Sequence, residues 1–213
     1  MSPRRAVVMR QSPAGDAVTL RDHLVAATDQ LLDHGGAGSL TTREIARHAG
    51  VSDGVLYNHF ADKAELVLAA MVRRYGRLVV RLEEATPRAG EGTVLGNVQA
   101  YGLALSRVET EVMLHGAALL SDPPLLQGFW VEIHRSPFGI DRLRRPLRDY
   151  LRDEQGLGRV AAVIDLDGAV TVVFGACAMV ALTRRLNPTA DTFALDRHLD
   201  AALAAAVGGF AGR

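Results

Sequence analysis

From Ser52 to His59 the chain collects side chains suited to reading the base edges of a nucleic-acid duplex. An α-helix fits the major groove, and its first turns reach those edges. In such a helix Asn58 offers the donor–acceptor pair that matches adenine, and Val55 offers an apolar surface to a thymine methyl. Tyr57 and His59 can donate to phosphate oxygens. Gly54 lets the backbone come close. Ser52 and Asp53 suit the helix start, where a hydroxyl caps and a carboxylate meets the positive end of the dipole. Plainer readings stand beside these: Tyr57 and His59 as packing residues, Asp53 as an ordinary helix-start acid. Leu56 and Phe60 fall on the opposite side, toward a core.

The flanking sequence supplies what must hold that helix. Thr41 with Glu44 three residues on is a capping box for a short helix whose apolar face is Ile45, Ala46 and Ala49. Gly50 ends it, Val51 tucks inward and Ser52 caps the next helix. Asp62 with Glu65 opens a third, running from Asp62 to Ala85 and stopped by Thr86-Pro87. A first helix over Thr19–His34 precedes them, with Leu20, Leu24, Ala27, Leu31 and Leu32 facing the core. Two short capped helices joined through a glycine turn are the sequence form of a helix-turn-helix.

The run TTREIARHAGVSDGVLYNHFADKAEL resembles the DNA-binding segment of TetR-type (tetracycline-repressor-like) transcriptional regulators, in T-x-x-x-I-A, A-G-V-S, L-Y-x-H-F and K-x-x-L. The resemblance implies that Thr42 and Lys63 hold phosphates and that Arg43 reaches a base. With Thr41, Ser52, Asp53, Gly54, Val55, Tyr57, Asn58 and His59 these form the candidate DNA-binding set. It further implies a homodimer on a palindromic double-stranded operator, and a larger C-terminal domain that binds a small organic effector. The expected activity is that of a cytoplasmic repressor released by its ligand, needing no cofactor. The alternative is a DNA-binding protein of the same fold controlled by a protein partner, or one acting in chromosome organisation.

Composition leaves that expectation open. Lys plus Arg equals Asp plus Glu, 24 each, over 213 residues. Between residues 17 and 66 four basic side chains face seven acidic ones, which is unusual for a module that neutralises phosphates. A basic arm over residues 1–16, with Arg4, Arg5 and Arg10, reads as disordered and either trails in solvent or follows DNA. The single cysteine, Cys177, sits in an apolar stretch and reads as a core thiol. Gly168 to Leu182 is uncharged but short of the ~20 residues that span a bilayer, so it reads as a buried helix rather than a membrane segment. No G-x-S-x-G, H-E-x-x-H, phosphate-cradling or dinucleotide-binding pattern occurs, and no histidine pair at i, i+4 suggests a metal, so no enzyme is expected.

The fold class expected is all-α: a basic arm (1–16), a helix-turn-helix domain (17–77, motif about 41–60) and a helical ligand-binding and dimerisation domain (78–213). Beyond the linker-like Pro87 to Gly92, helices are expected near 93–107, 109–121, 123–136, 140–155, 160–186 and 191–207, with a kink or a shorter helix at Pro146. An apolar pocket with a few polar groups suits a small ligand, and Tyr101, His115, Phe129, Trp130 and Phe174 are its candidate lining. Gly168, Ala169, Gly175, Ala176 and Ala178 would let a second copy approach, and by resemblance the helices near 140–155 and 160–186 would form a four-helix bundle with their mates.

Overall fold

The computed structural model describes residues 19–32, 40–120, 122–187 and 189–210. The expected arm, residues 1–16, lies outside them. Among the described residues the chain is all-α: α1 (Leu20–Leu32), α2 (Thr42–Ala49), α3 (Asp53–Tyr57), α4 (Lys63–Glu84), α5 (Val94–Leu120), α6 (Pro123–Arg135), α7 (Ile140–Gly156), α8 (Leu166–Leu186) and α9 (Thr192–Phe210).

Local chemistry sets most of these ends. Thr19 and Asp22 exchange hydrogen bonds at the start of α1. The Thr41 hydroxyl accepts from the Glu44 N–H (3.2 Å) while the Glu44 carboxylate accepts from the Thr41 N–H (2.9 Å), which completes the capping box. Gly50 closes α2 at φ +69°, a conformation that suits glycine. Asp62 and Asp122 cap α4 and α6 by accepting from Glu65 and Leu125 N–H groups.

Two cores share the helices α4 and α5. The first gathers Leu24 and Leu32 of α1, Ile45 of α2, Leu56 of α3 and Phe60, and then extends to Leu119, Phe129 and Ile133 of α5 and α6. The second joins α5, α7, α8 and α9 through Tyr101, Leu105, Leu151, Val173, Cys177 and Leu203. Leu66, Val67, Ala70, Met71, Tyr75 and Val79 of α4 belong to the first core, Leu78 and Leu82 to the second. The domain that reads as starting at residue 78 therefore lends α6 to the core of the other. Phe138, in the α6–α7 loop, presses on α4 at Gly76, where a Cβ would come within 2.7 Å of the ring. Arg142 stacks on that ring and donates from Nε and Nη2 to Glu83 of α4, at 2.6 and 3.0 Å.

The helix boundaries correct the sequence reading in several places. The segments expected at 93–107 and 109–121 are one helix, α5, because Val108 continues the buried face of Tyr101 and Leu105 and nothing there breaks the hydrogen-bond ladder. Pro146 lies inside α7 without ending it; proline there removes one hydrogen bond, and Leu147, Tyr150 and Leu151 bury the turns that follow. Residues 160–165 are not helical. Gln155 donates to the carbonyls of Ala161 and Ile164 (3.0 Å each), and the Asp165 carboxylate caps α8 at the Asp167 and Gly168 N–H groups.

Candidate nucleic-acid interface

The turn between α2 and α3 is built tightly. The Val51 N–H donates to the Ala46 carbonyl (3.0 Å), and the His23 ring of α1 contacts the carbonyl of Ala49 at the end of α2 (2.9 Å). Ile45 and Ala46 on α2 and Leu56 on α3 are almost completely buried, which fixes how the two helices cross. Helix α3 is shorter than expected. It ends at Tyr57, and Asn58 and His59 lie in the turn that follows, because Phe60 must reach back into the core (3% exposed). Ser52 occupies the N-cap position but makes no side-chain cap bond.

The candidate reading residues come out on the solvent side of this frame. Arg43, Ser52, Asp53, Gly54, Tyr57, Asn58 and His59 are exposed; Thr42, Val55 and Lys63 are half-buried. Tyr57 is 58% exposed, which excludes a packing role. A Cβ at Gly54 would meet no atom within 4 Å, so the protein's own packing does not require glycine there. Two of the set are partly spent on holding the frame. The Thr41 hydroxyl donates to Glu44 (2.8 Å), so its proton is not free for a phosphate. Lys63 Nζ donates to the carbonyl of Leu40 (2.9 Å), tying the start of α4 to the start of α2. Arg21 lies over the Phe60 ring and pairs with Glu65 at 3.3 Å.

Sequence reading missed the link behind this surface. Asp29 of α1 is 3% exposed and takes Arg74 Nε at 2.7 Å on one oxygen and Arg77 Nη1 on the other; Arg74 also donates to the Asp29 carbonyl at 2.5 Å. Burial pushes the Asp29 carboxyl up, but the bonds from Arg77 and Arg74 outweigh it and hold the group below the ordinary carboxylate range. An acid among Leu24, Val25, Thr28 and Leu32 on the buried face of α1 was the available signal.

Residues 24–70, which contain this frame, match the family model described as bacterial regulatory proteins, tetR family. Residues 24–70 thus carry a tetR-type DNA-binding segment. Over 172 residues this chain is 24% identical to the HTH-type transcriptional regulator SrpR of Pseudomonas putida, covering 78% of this chain and 76% of that one. Three further curated relatives align over roughly a third of their length. A TetR-family transcriptional regulator from Mesorhizobium loti shares the fold at a TM-score of 0.69 and 18% identity, over 90% of this chain and 96% of that one. FadR of Bacillus subtilis, solved in complex with stearoyl-CoA, does so at 0.58 and 19%, over 88% and 97%. The relatives that this chain resembles are transcriptional regulators, not enzymes.

Of the candidate ligand residues whose side chains are described, only Phe129 and Trp130 touch, and the four do not line one pocket. Phe129 lines a small chamber between α4, α5 and α6. Tyr101 is sealed in the second core, and its hydroxyl has no hydrogen-bond partner among the described residues. Phe174 faces α7, with Arg144 over its ring. Trp130 stands edge-on to Phe129 and is 41% exposed. The side chain of His115 lies outside the described residues.

The five candidate dimer residues also divide. Ala169 is buried against its own chain, a Cβ on Gly168 would meet its own cap Asp165 at 3.0 Å, and Ala176 and Ala178 are half-buried. Gly175 is exposed, and a Cβ there would meet nothing within 4 Å. The apolar residues that α8 leaves in solvent are Val172, Met179, Leu182 and Leu186, which with Gly175 make one stripe. Beside it α9 exposes Phe193, Ala201, Ala205 and Gly208. Helix α7, expected to flank α8 in the interface, exposes Asp141, Arg145, Arg152 and Asp153. Cys177 is sealed in the core, its thiol contacting the Gly102 carbonyl at 3.3 Å and pushed up to about 12 by burial.

Proposed function

We propose that this protein is a cytoplasmic repressor that binds a palindromic operator as a homodimer and leaves it when a small organic effector occupies the C-terminal domain. The observation that carries the reading is the exposed set Arg43, Asp53, Gly54, Tyr57, Asn58 and His59, held on a frame whose inner side is fully packed. A groove-reading surface needs both features: free edges outward and a fixed crossing behind. Arg43 reads a base, most naturally guanine through its fork, while Thr42, Tyr57, His59 and the remaining Lys63 protons take phosphates. The module from residue 17 to 66 is acidic overall, so these few cations and the helix N-termini carry the phosphate contacts.

The dimer reading rests on the stripe from Val172 to Leu186. Monomeric proteins rarely leave so continuous an apolar strip on one helix, and the small residues on α9 let a second pair of helices come near. Copies joined there would present two reading heads to half-sites about one turn (~34–36 Å) apart. The effector reading draws on the fold it shares with FadR, which was solved with an acyl-CoA.

Selection of fragments from a random DNA pool at two salt concentrations tests the reading. Recovery of a palindrome with half-sites about one turn apart supports it. Capture of unrelated sequences, vanishing at higher salt, would refute it.

A further inference from the structure

Arg74, Arg77 and Arg81 recur on one face of α4 at i, i+3 and i+7. They line a cleft of about 340 Å³ together with Leu78, Val80, Glu84 and Glu111, within the size range of small-molecule sites. Next to it is a smaller chamber of about 50 Å³ with an apolar wall that includes Met71, Tyr75, Val112, Leu119 and Phe129. Arg74, Leu78 and Glu111 line both spaces, so the two adjoin. At the junction Arg81 Nη2 donates to Glu111 Oε1 at 2.5 Å, bridging α4 and α5. Both partners are about half exposed, and ion pairs so placed are weak and open readily.

Of the three guanidiniums in the cleft lining, Arg74 and Arg77 are held by Asp29, and Arg81 is held across the cleft by an exposed carboxylate. A guanidinium fork matches a carboxylate head group, while an apolar chamber takes only the body of a ligand. We propose that these two spaces form the effector site and that the effector is a small amphiphilic organic acid. Its carboxylate replaces Glu111 on Arg81, its chain lies in the cleft along Leu78 and Val80, and only its terminal carbons enter the chamber. The inference rests on the regulator reading for the meaning of the site. It also supplies a route to the DNA-reading domain, because Arg74 and Arg77 on the same face hold Asp29 of α1. A negative head group seated there acts directly on the link between α1 and α4.

The test titrates the full-length protein with octanoate, 1-octanol and octylamine. Trp130, the single tryptophan, reports binding through its edge contact with Phe129 (5.6 Å). Octanoate is expected to bind saturably and more tightly than either matched probe. R81Q should weaken it about tenfold, the worth of one charge-assisted hydrogen bond, and E111Q should strengthen it. Opposite signs from two exposed neighbours cannot come from damaged folding. Variants that shift octanoate affinity in the same direction, or an amine that binds better than the acid, would overturn the proposal. So would the absence of saturable octanoate binding to a protein that still selects a palindrome, and the regulator reading would then stand. If octanoate binds with the opposite variant effects but no sequence-specific DNA is captured, the acid site stands and the regulator reading falls.

Discussion

Replacing Asp29 with asparagine puts the link between α1 and α4 to a direct test. The carboxylate is buried and engages two guanidiniums, one of which, Arg74, is itself 6% exposed. Removing one member of a buried ion pair costs about 3–5 kcal/mol, because the remaining charge stays desolvated. The lower end applies here, since Arg77 is half exposed and Arg74 keeps its bond to the Asp29 carbonyl. A loss of about 3 kcal/mol, with a urea slope of about 2–3 kcal/mol per M, lowers the unfolding midpoint by about 1–1.5 M. Protein concentration must be matched, because association adds to apparent stability. The pH dependence has a definite sign. The folded pKa of Asp29 is depressed, so its stabilisation is fully present above the unfolded value of about 3.9 and is lost as pH falls through the folded value. The gap between wild type and D29N should therefore be constant near neutrality and close in acid. A midpoint within about 0.2 M of wild type at neutral pH, or a gap that survives into strong acid, would refute this account of the link.

Further outcomes follow from the same geometry. Gly50→Ala places a side chain at φ +69° with open space around it, so it should cost only the backbone strain, about 1–2 kcal/mol by thermal or urea melt. Arg43→Ala should relax operator preference at one base position, with a loss of about 1–3 kcal/mol. Lys63→Ala should weaken all sequences alike and lower the salt slope by about one, as binding titrations at several salt concentrations would reveal. Met179→Glu should shift the protein toward monomer in sedimentation, since it puts a charge at the middle of the α8 stripe, where Met179 is 63% exposed. Glu109 is pushed up to about 8 by burial, and among the described residues its Oε2 has no hydrogen-bond partner. Its folded pKa lies above the unfolded one, so stability should fall as pH rises from about 4.3 toward 8. Glu109→Gln should remove that fall, a gain on the order of a few kcal/mol at the upper end, measured by urea midpoints across the range.

The helix-turn-helix was legible because local signals decide it. Thr41 with Glu44, Gly50 at its left-handed turn and Asp62 with Glu65 each act within four residues, and each is found in place. The end of α3 was not legible. Val55, Leu56 and Phe60 fit helical spacing, but the burial of Phe60 under α1 and α4, a tertiary demand, stops the helix at Tyr57. The unbroken α5 was missed for the opposite reason, since its charged residues around Val108 look like a boundary until α8 and α9 cover the other face. Pairing was the least legible. The spacing of Arg74, Arg77 and Arg81 is plain in the sequence, yet only the fold brings Asp29 and Glu111 from other helices onto that face.

Helix α4 also has a mechanical reading. Its 22 residues make a rod about 33 Å long. Phe138 bears on it at Gly76, and Arg142 grips it at Glu83. From that bearing the arm to Lys63 is about 20 Å and the arm to Glu83 about 10 Å. The helix is thus a lever with a gain near two: about 1 Å of travel at the gripped end becomes about 2 Å where α4 carries the reading head.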